Sequence, residues 1–153
     1  MNLKDILEQN LIIPNLIAED KKGVLAELAS VIASSYKSLN ASYLEKVLLE
    51  REKLGSTGIG DGIAIPHGKL KDIDKPIIVF GRSKKGVDFE AIDKEKCSIF
   101  FLLFVPDNDS GLHLKLLARI SRLLKDASFR KRLVEAKTKK EILNIILEEE
   151  ERS

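Results

Sequence analysis

Residues Ser98 to Val105 read Ser-Ile-Phe-Phe-Leu-Leu-Phe-Val, and Pro106 follows. The run is far too short to cross a bilayer, which takes about 20 apolar residues. It lacks the alternation of a half-solvated strand, so it is expected as a strand buried on both faces. Proline cannot donate to a ladder, so the strand is expected to end there. A strand of this kind needs neighbours beside it and cover above and below. The flanking segments supply both.

Before the run, Val24, Leu25, Leu28, Val31 and Ile32 recur at the helical period behind Asp20, a capping residue type. Leu44, Val47 and Leu48 do so behind Asn40, and that helix is expected to stop at Gly55. Asn2 to Gln9 is expected as a short helix. Extended pieces are expected at Leu11–Ile13, Ile63–Ile65 and Ile77–Arg82, with a turn or edge strand at Gly86–Phe89. After the run, a helix is expected from about Leu112 to Lys125, with shorter ones at Ser128–Ala136 and Lys139–Glu149. Thr138 and Glu141 have capping-box spacing for the last. Helices, strands, then helices describe an α/β domain with a small central sheet covered by helices.

The 153 residues suit one domain, and 44% apolar content suits a packed core. A net charge of +2 gives no reason to expect a nucleic-acid partner. The late cations, Lys115 to Arg132, and the acids Glu148–Glu151 read as solvated helix faces. The single cysteine, Cys97, allows no internal disulfide and opens the apolar run, so it reads as a buried thiol in a reducing compartment. No signal peptide and no membrane span is visible, so a soluble, cytoplasmic chain without direct membrane insertion is expected.

Chemistry points elsewhere. Five of the nine glycines fall between Gly55 and Gly68, and one of two histidines, His67, closes that stretch. Glycine clusters mark sharp turns or close backbone approach. Neither a Gly-Lys-Ser/Thr ending nor a G-x-G-x-x-G opening a helix is present, which disfavours a nucleotide site. His67 alone is either a turn residue or a reactive group. The other histidine, His113, lies two residues after Gly111. If Ser110 caps the following helix, His113 sits in its first turn, beside free N–H groups and the positive dipole end. Otherwise it is a half-buried residue packed on Leu117. Arg51 precedes the glycine stretch by four residues. It is either a surface arginine or a planar donor suited to phosphate.

Two imidazoles, an arginine and a helix N-terminus suit phosphoryl transfer. Neutral imidazole is a nucleophile near neutral pH, and donors at Gly68, Ser110 and Gly111 would bind the equatorial oxygens. No metal or other cofactor is required. Two rivals remain. His67, His113 and one of Asp61, Asp107 or Asp109 would make a two-histidine, one-carboxylate metal site. A serine hydrolase is weaker, since neither Ser56 nor Ser110 lies in a G-x-S-x-G elbow.

The stretch Arg51-Glu52-Lys53-Leu54-Gly55-Ser56-Thr57-Gly58-Ile59-Gly60-Asp61-Gly62-Ile63-Ala64-Ile65-Pro66-His67-Gly68 resembles the active-site signature of enzyme IIA of the fructose/mannitol type. That protein is a component of the bacterial phosphoenolpyruvate-dependent sugar phosphotransferase system, and nitrogen-regulatory IIA proteins share the signature. The similarity continues through Val87–Asp93, Phe104-Val105-Pro106 and His113–Ala118. It implies one type-2 IIA domain over residues 1–153, with a small mixed sheet of about five strands sandwiched by helices on both faces. It implies that His67 accepts phosphate from an HPr-like phosphocarrier, that His113 steadies the phosphoryl group and that Arg51 lies near the site in a supporting role. Enzyme IIB is implied as the acceptor, through a cysteine of its own, and the membrane IIC is reached through IIB. Cys97 does not match that cysteine. A nitrogen-type regulator, whose phosphorylation state controls partner proteins, is the alternative.

Overall fold

The computed structural model describes all residues, Met1–Ser153. In chain order the elements are β1 (Ile12–Ile13), α1 (Lys21–Ser35), α2 (Ala41–Glu52), β2 (Gly58–Gly60), β3 (Ile63–Ala64), β4 (His67–Leu70), β5 (Ile77–Val87), β6 (Cys97–Pro106), α3 (Ser110–Leu123), α4 (Ala127–Glu135) and α5 (Lys139–Arg152).

The apolar run is the middle of the sheet. Every residue of β6 except Ser98 is buried. Antiparallel β5 lies along one edge, with Phe80 opposite Phe101. Both β3 and β4 run parallel along the other edge. The outer strands complete a mixed sheet of six, β1 beside β5 and β2 beside β3.

Adjacent residues on β5 show the two covered faces. A Cβ on Gly81 would meet Leu28 of α1 at 3.1 Å. The next side chain, Arg82, points the opposite way and donates through Nη1 to the carbonyls of Leu133 (3.0 Å) and Val134 (3.2 Å) at the end of α4. Helices α1 and α2 pack together, as do α4 and α5, so helices sandwich the sheet. A single cluster of 41 buried apolar residues fills both interfaces.

Several expected boundaries move. Asn2–Gln9 is not one helix but two 3-10 turns, Leu3–Asp5 and Gln9–Leu11. The first turn is held from outside, because Glu150 of α5 accepts the Leu3 and Lys4 N–H groups. Helix α2 stops at Glu52, and Gly55, at φ +143°, lies in the turn beyond it. Asp109, not Ser110, caps α3, accepting the Leu112 N–H at 3.0 Å. The expected turn at Gly86 is absorbed into β5 as an irregularity in register between Arg82 and Val87. Gly86 adopts φ +85° there, and its N–H donates to Ser83 Oγ.

Of the four terminal acids, Glu148 and Glu151 lie on a solvated helix face as expected, but Glu149 and Glu150 do not. Glu149 is 7% exposed and pairs with Arg132 at 2.7 Å and with Arg152, which carries α5 to Arg152. Glu150 pairs with Arg119 at 3.3 Å. No helix is long and apolar enough to cross a membrane.

Candidate active site

His67 is the first residue of a strand, not the end of a loop. The register of β3 against β6 (Ile63 opposite Ile99, Ala64 opposite Phe100) continues unbroken into β4 (His67 opposite Leu103). The interruption at Ile65–Pro66 costs little. Pro66 has no N–H to donate, its carbonyl still accepts from Leu103, and the Ile65 N–H turns to the Thr57 carbonyl at 3.0 Å. The result is a histidine on a strand edge whose backbone is set by the central strand.

Both ring nitrogens of His67 are engaged. Nδ1 lies 2.8 Å from the Ile65 carbonyl oxygen, a group that only accepts, so Nδ1 carries the proton. Nε2 therefore holds the lone pair, and it accepts from Arg51 Nε at 3.2 Å. Arg51 is half-buried on the last turn of α2, and its Nη1 donates to the Gly55 carbonyl at 2.9 Å. That bond fixes the guanidinium in the glycine-rich turn and aims Nε at the imidazole.

Gly68 lets α2 come this close. A Cβ there would stand 2.7 Å from Val47 Cγ1 and 3.1 Å from Phe104 Cε1. Both distances are inside contact, so only glycine admits the approach that carries Arg51 to His67.

His113 approaches from α3, with its ring centroid 5.2 Å from that of His67 and the planes tilted by 60°. Its Nδ1 is buried without a partner, leaving hydrogen-bonding capacity that the fold does not use. The N–H groups of Ser110 and Gly111, first in α3, have no intramolecular acceptor, whereas those of Leu112 and His113 bond to Asp109. Lys69, two residues along the strand from His67, donates to Ser110 Oγ at 3.3 Å. An open cleft of about 430 Å³ lies among these groups, lined by Arg51, His67, Gly68, Lys69 and His113, with Val47, Glu50 and Leu54 at its walls.

The electrostatics favour neutral rings. Burial is the largest influence on His67 and lowers its pKa; Arg51 lowers it further, while the Ile65 bond and Glu52 pull the other way. Burial also lowers that of His113, helped by His67, Lys69 and Arg51. Two imidazoles at this distance among cations do not both charge readily. Cys97 is fully buried, and burial, then Asp93, pushes its thiol up to about 11, which leaves it inert.

The structure thus brings Arg51, His67, Gly68 and His113 around one cleft, with Ser110 joined to it through Lys69 and Gly111 next to Ser110 in the first turn of α3. It does not build the metal alternative, because no three His, Cys, Asp or Glu side chains converge. Asp109 is spent on the α3 cap. Lys69 escaped the sequence reading. Its signal was the two-residue spacing from His67, visible only once this stretch is taken as a strand.

Residues 5–149 match the family model described as phosphoenolpyruvate-dependent sugar phosphotransferase system, EIIA 2. The chain belongs to this enzyme IIA family. Among curated relatives, a nitrogen regulatory protein of Bradyrhizobium diazoefficiens is 38% identical over 146 residues, spanning 95% of each chain. The fructose-specific EIIABC component of Bacillus subtilis is 36% identical over 146 residues, but this IIA chain spans only 23% of that protein's length. The crystal structure of nitrogen regulatory protein IIA-Ntr from Neisseria meningitidis superposes with a TM-score of 0.87 at 31% identity, covering 94% of this chain and 98% of that one. The enzyme IIA fold also matches the mannitol IIA of Escherichia coli in its complex with phosphorylated enzyme IIB, with a TM-score of 0.78 at 23% identity and 93% and 97% coverage.

Proposed function

We propose that this enzyme IIA is a phosphoryl carrier that takes phosphate on His67 Nε2 from an HPr-like phosphocarrier and delivers it to a cysteine of enzyme IIB. The observation that carries this reading is the pair of bonds on His67. A proton held on Nδ1 by the Ile65 carbonyl leaves Nε2 as the nucleophile, with Arg51 beside it.

In the step proposed, the Nε2 lone pair attacks the phosphorus of the donor's phosphohistidine in line. The new N–P bond forms as the donor's N–P bond breaks, and that electron pair returns to the donor imidazole. The His67 proton stays on Nδ1 against Ile65. Arg51 leaves the nitrogen and donates to the incoming oxygens, where transferring charge spreads. His113, Lys69 and the free N–H groups of Ser110 and Gly111 supply the remaining donors. Enzyme IIB as acceptor is supported by the mannitol complex that shares this fold. A cytoplasmic carrier fits these partners.

The test is incubation with phosphoenolpyruvate, enzyme I and HPr, followed by intact mass. Wild type gains one acid-labile phosphoryl group, and His67→Ala gains none. Phosphorylation of His67→Ala would sink the assignment. His113→Ala and Arg51→Ala are expected to gain it more slowly.

A second reading is favoured by the nitrogen regulatory relative that matches end to end. There the phosphate state of His67 switches contacts with regulated proteins rather than feeding sugar uptake. Phosphorylation rates from sugar-type and nitrogen-type HPr separate the two.

A further inference from the structure

Behind the cleft, a buried carboxylate stands where the two supports of His67 meet. Glu52 is the last residue of α2, next to Arg51, and its side chain is 4% exposed. Its Oε1 accepts the Thr57 N–H at 3.0 Å, and its Oε2 accepts the Thr57 hydroxyl. Lys21, the first residue of α1, completes the set with Nζ 3.0 Å from Oε1. Lys21 is also 3.4 Å from Ser56 Oγ and sits over the Phe89 ring at 4.9 Å. A buried carboxylate without such compensation would be strongly disfavoured.

Two hydrogen-bond paths run from this residue to His67. Along one, the carboxylate holds Thr57, the Thr57 carbonyl holds the Ile65 N–H, and the Ile65 carbonyl holds His67 Nδ1. Along the other, the Glu52 backbone carbonyl holds the Gly55 N–H, the Gly55 carbonyl holds Arg51 Nη1, and Arg51 Nε holds His67 Nε2. The turn from Lys53 to Thr57 is thereby pinned at both ends by one residue. Glycine-rich backbone would not keep this geometry unaided. The charge on Glu52 also acts on His67 directly, raising its pKa against the stronger effect of burial.

We infer that the Glu52 carboxylate, neutralised by Lys21, is a positioning group that sets the His67 tautomer through Thr57 and Ile65 without touching the phosphoryl group, while the Glu52 backbone carbonyl, which any residue there would supply, holds the turn that carries Arg51. Its kinetic consequence rests on the phosphoryl-carrier reading; its effect on His67 does not. Removing the partner that orients a metal-bound histidine typically costs about 10–100-fold, and a loss of that order is expected for an oriented nucleophilic histidine. Thr57 contributes the donors and Lys21 the counter-charge.

The decisive measurement is long-range ¹H–¹⁵N correlation of the histidine rings in the unphosphorylated protein, with no donor present. Wild type is expected to show His67 as a single Nδ1–H tautomer. Glu52→Gln is expected to show a tautomer mixture at His67, with His113 as an internal reference for an intact fold. In the phosphorylation assay the same variant is expected to slow by about 10–100-fold, with Thr57→Val intermediate. If Glu52→Gln fails to fold, Thr57→Val, which keeps the carboxylate, carries the test. A folded variant with a wild-type His67 spectrum overturns the inference. A wild type that takes up no phosphate but shows the tautomer effect overturns only the carrier reading.

Discussion

His67 shows how little a residue's type says about its state. In the folded chain both histidines have lowered pKa values, burial being the main cause for each. In the unfolded chain they return to about 6.5. Between the folded values and 6.5 the unfolded state binds more protons, so stability rises with pH across that window and levels off above it. Acidification below about 6.5 should therefore cost stability, and His67→Gln/His113→Gln should flatten that dependence in urea titrations. Histidine NMR titrations should place both midpoints below about 6.5. Gly68 tests the same site sterically. Gly68→Ala puts a methyl 2.7 Å from Val47 Cγ1 and should destabilise by about 1–3 kcal/mol. Val47→Ala in the same chain makes room and should recover part of that loss, read as a shift in urea midpoint. Additive losses would mean that the two positions do not press on each other.

Elements with local signals were legible in the sequence. The caps Asp20, Asn40 and Thr138 each accept the N–H three residues on, and the apolar run is the central strand. Strands β2 and β4 were not legible, because Gly58–Gly60 and His67–Leu70 lack apolar alternation. Their pairing is imposed by neighbours, above all by the register that β6 offers. Arg82 was also hidden, reading as one more charge at a strand end. It is 1% exposed, donates through Nε to the Pro14 carbonyl at 3.0 Å, and satisfies the carbonyls of Leu133, Val134 and Ala136 at the end of α4. A cation there also meets the negative end of the α4 dipole. Arg82→Met keeps length but strands those acceptors, at about 1–3 kcal/mol for each buried carbonyl left without water. Amide exchange should accelerate in α4 while α1 and α2 remain protected. Uniform acceleration throughout would mean that Arg82 supports the whole core instead.

At the scale of the molecule, the site exists only because distant segments converge. Arg51, His67 and His113 were legible, since reactive residue types flanked glycines and a helix start. The Lys21–Glu52–Thr57 support was not, because a lysine and a glutamate 31 positions apart carry no motif. One exposed leucine lines the cleft, and another lies close by in sequence. Leu54, at its wall, is 84% exposed, and Leu114, next after His113 on α3, is 67% exposed. Scattered exposed leucines need no explanation, but Leu54 lines the cleft with His67, and Leu114 follows His113 on α3, close to the group that a partner must reach under the proposed function. A carrier must bind and release quickly, so a small contact with a few apolar anchors and modest affinity suits it. Leu54→Asp and Leu114→Asp should leave the urea midpoint nearly unchanged, because neither side chain is in the core. Each should raise the phospho-HPr concentration needed for half-maximal rate, by about tenfold for a contact worth ~1.4 kcal/mol, with the maximal rate kept. Loss of maximal rate at saturating donor would instead place these leucines in the chemistry of the site. Unchanged kinetics in both variants would move the docking surface away from these leucines.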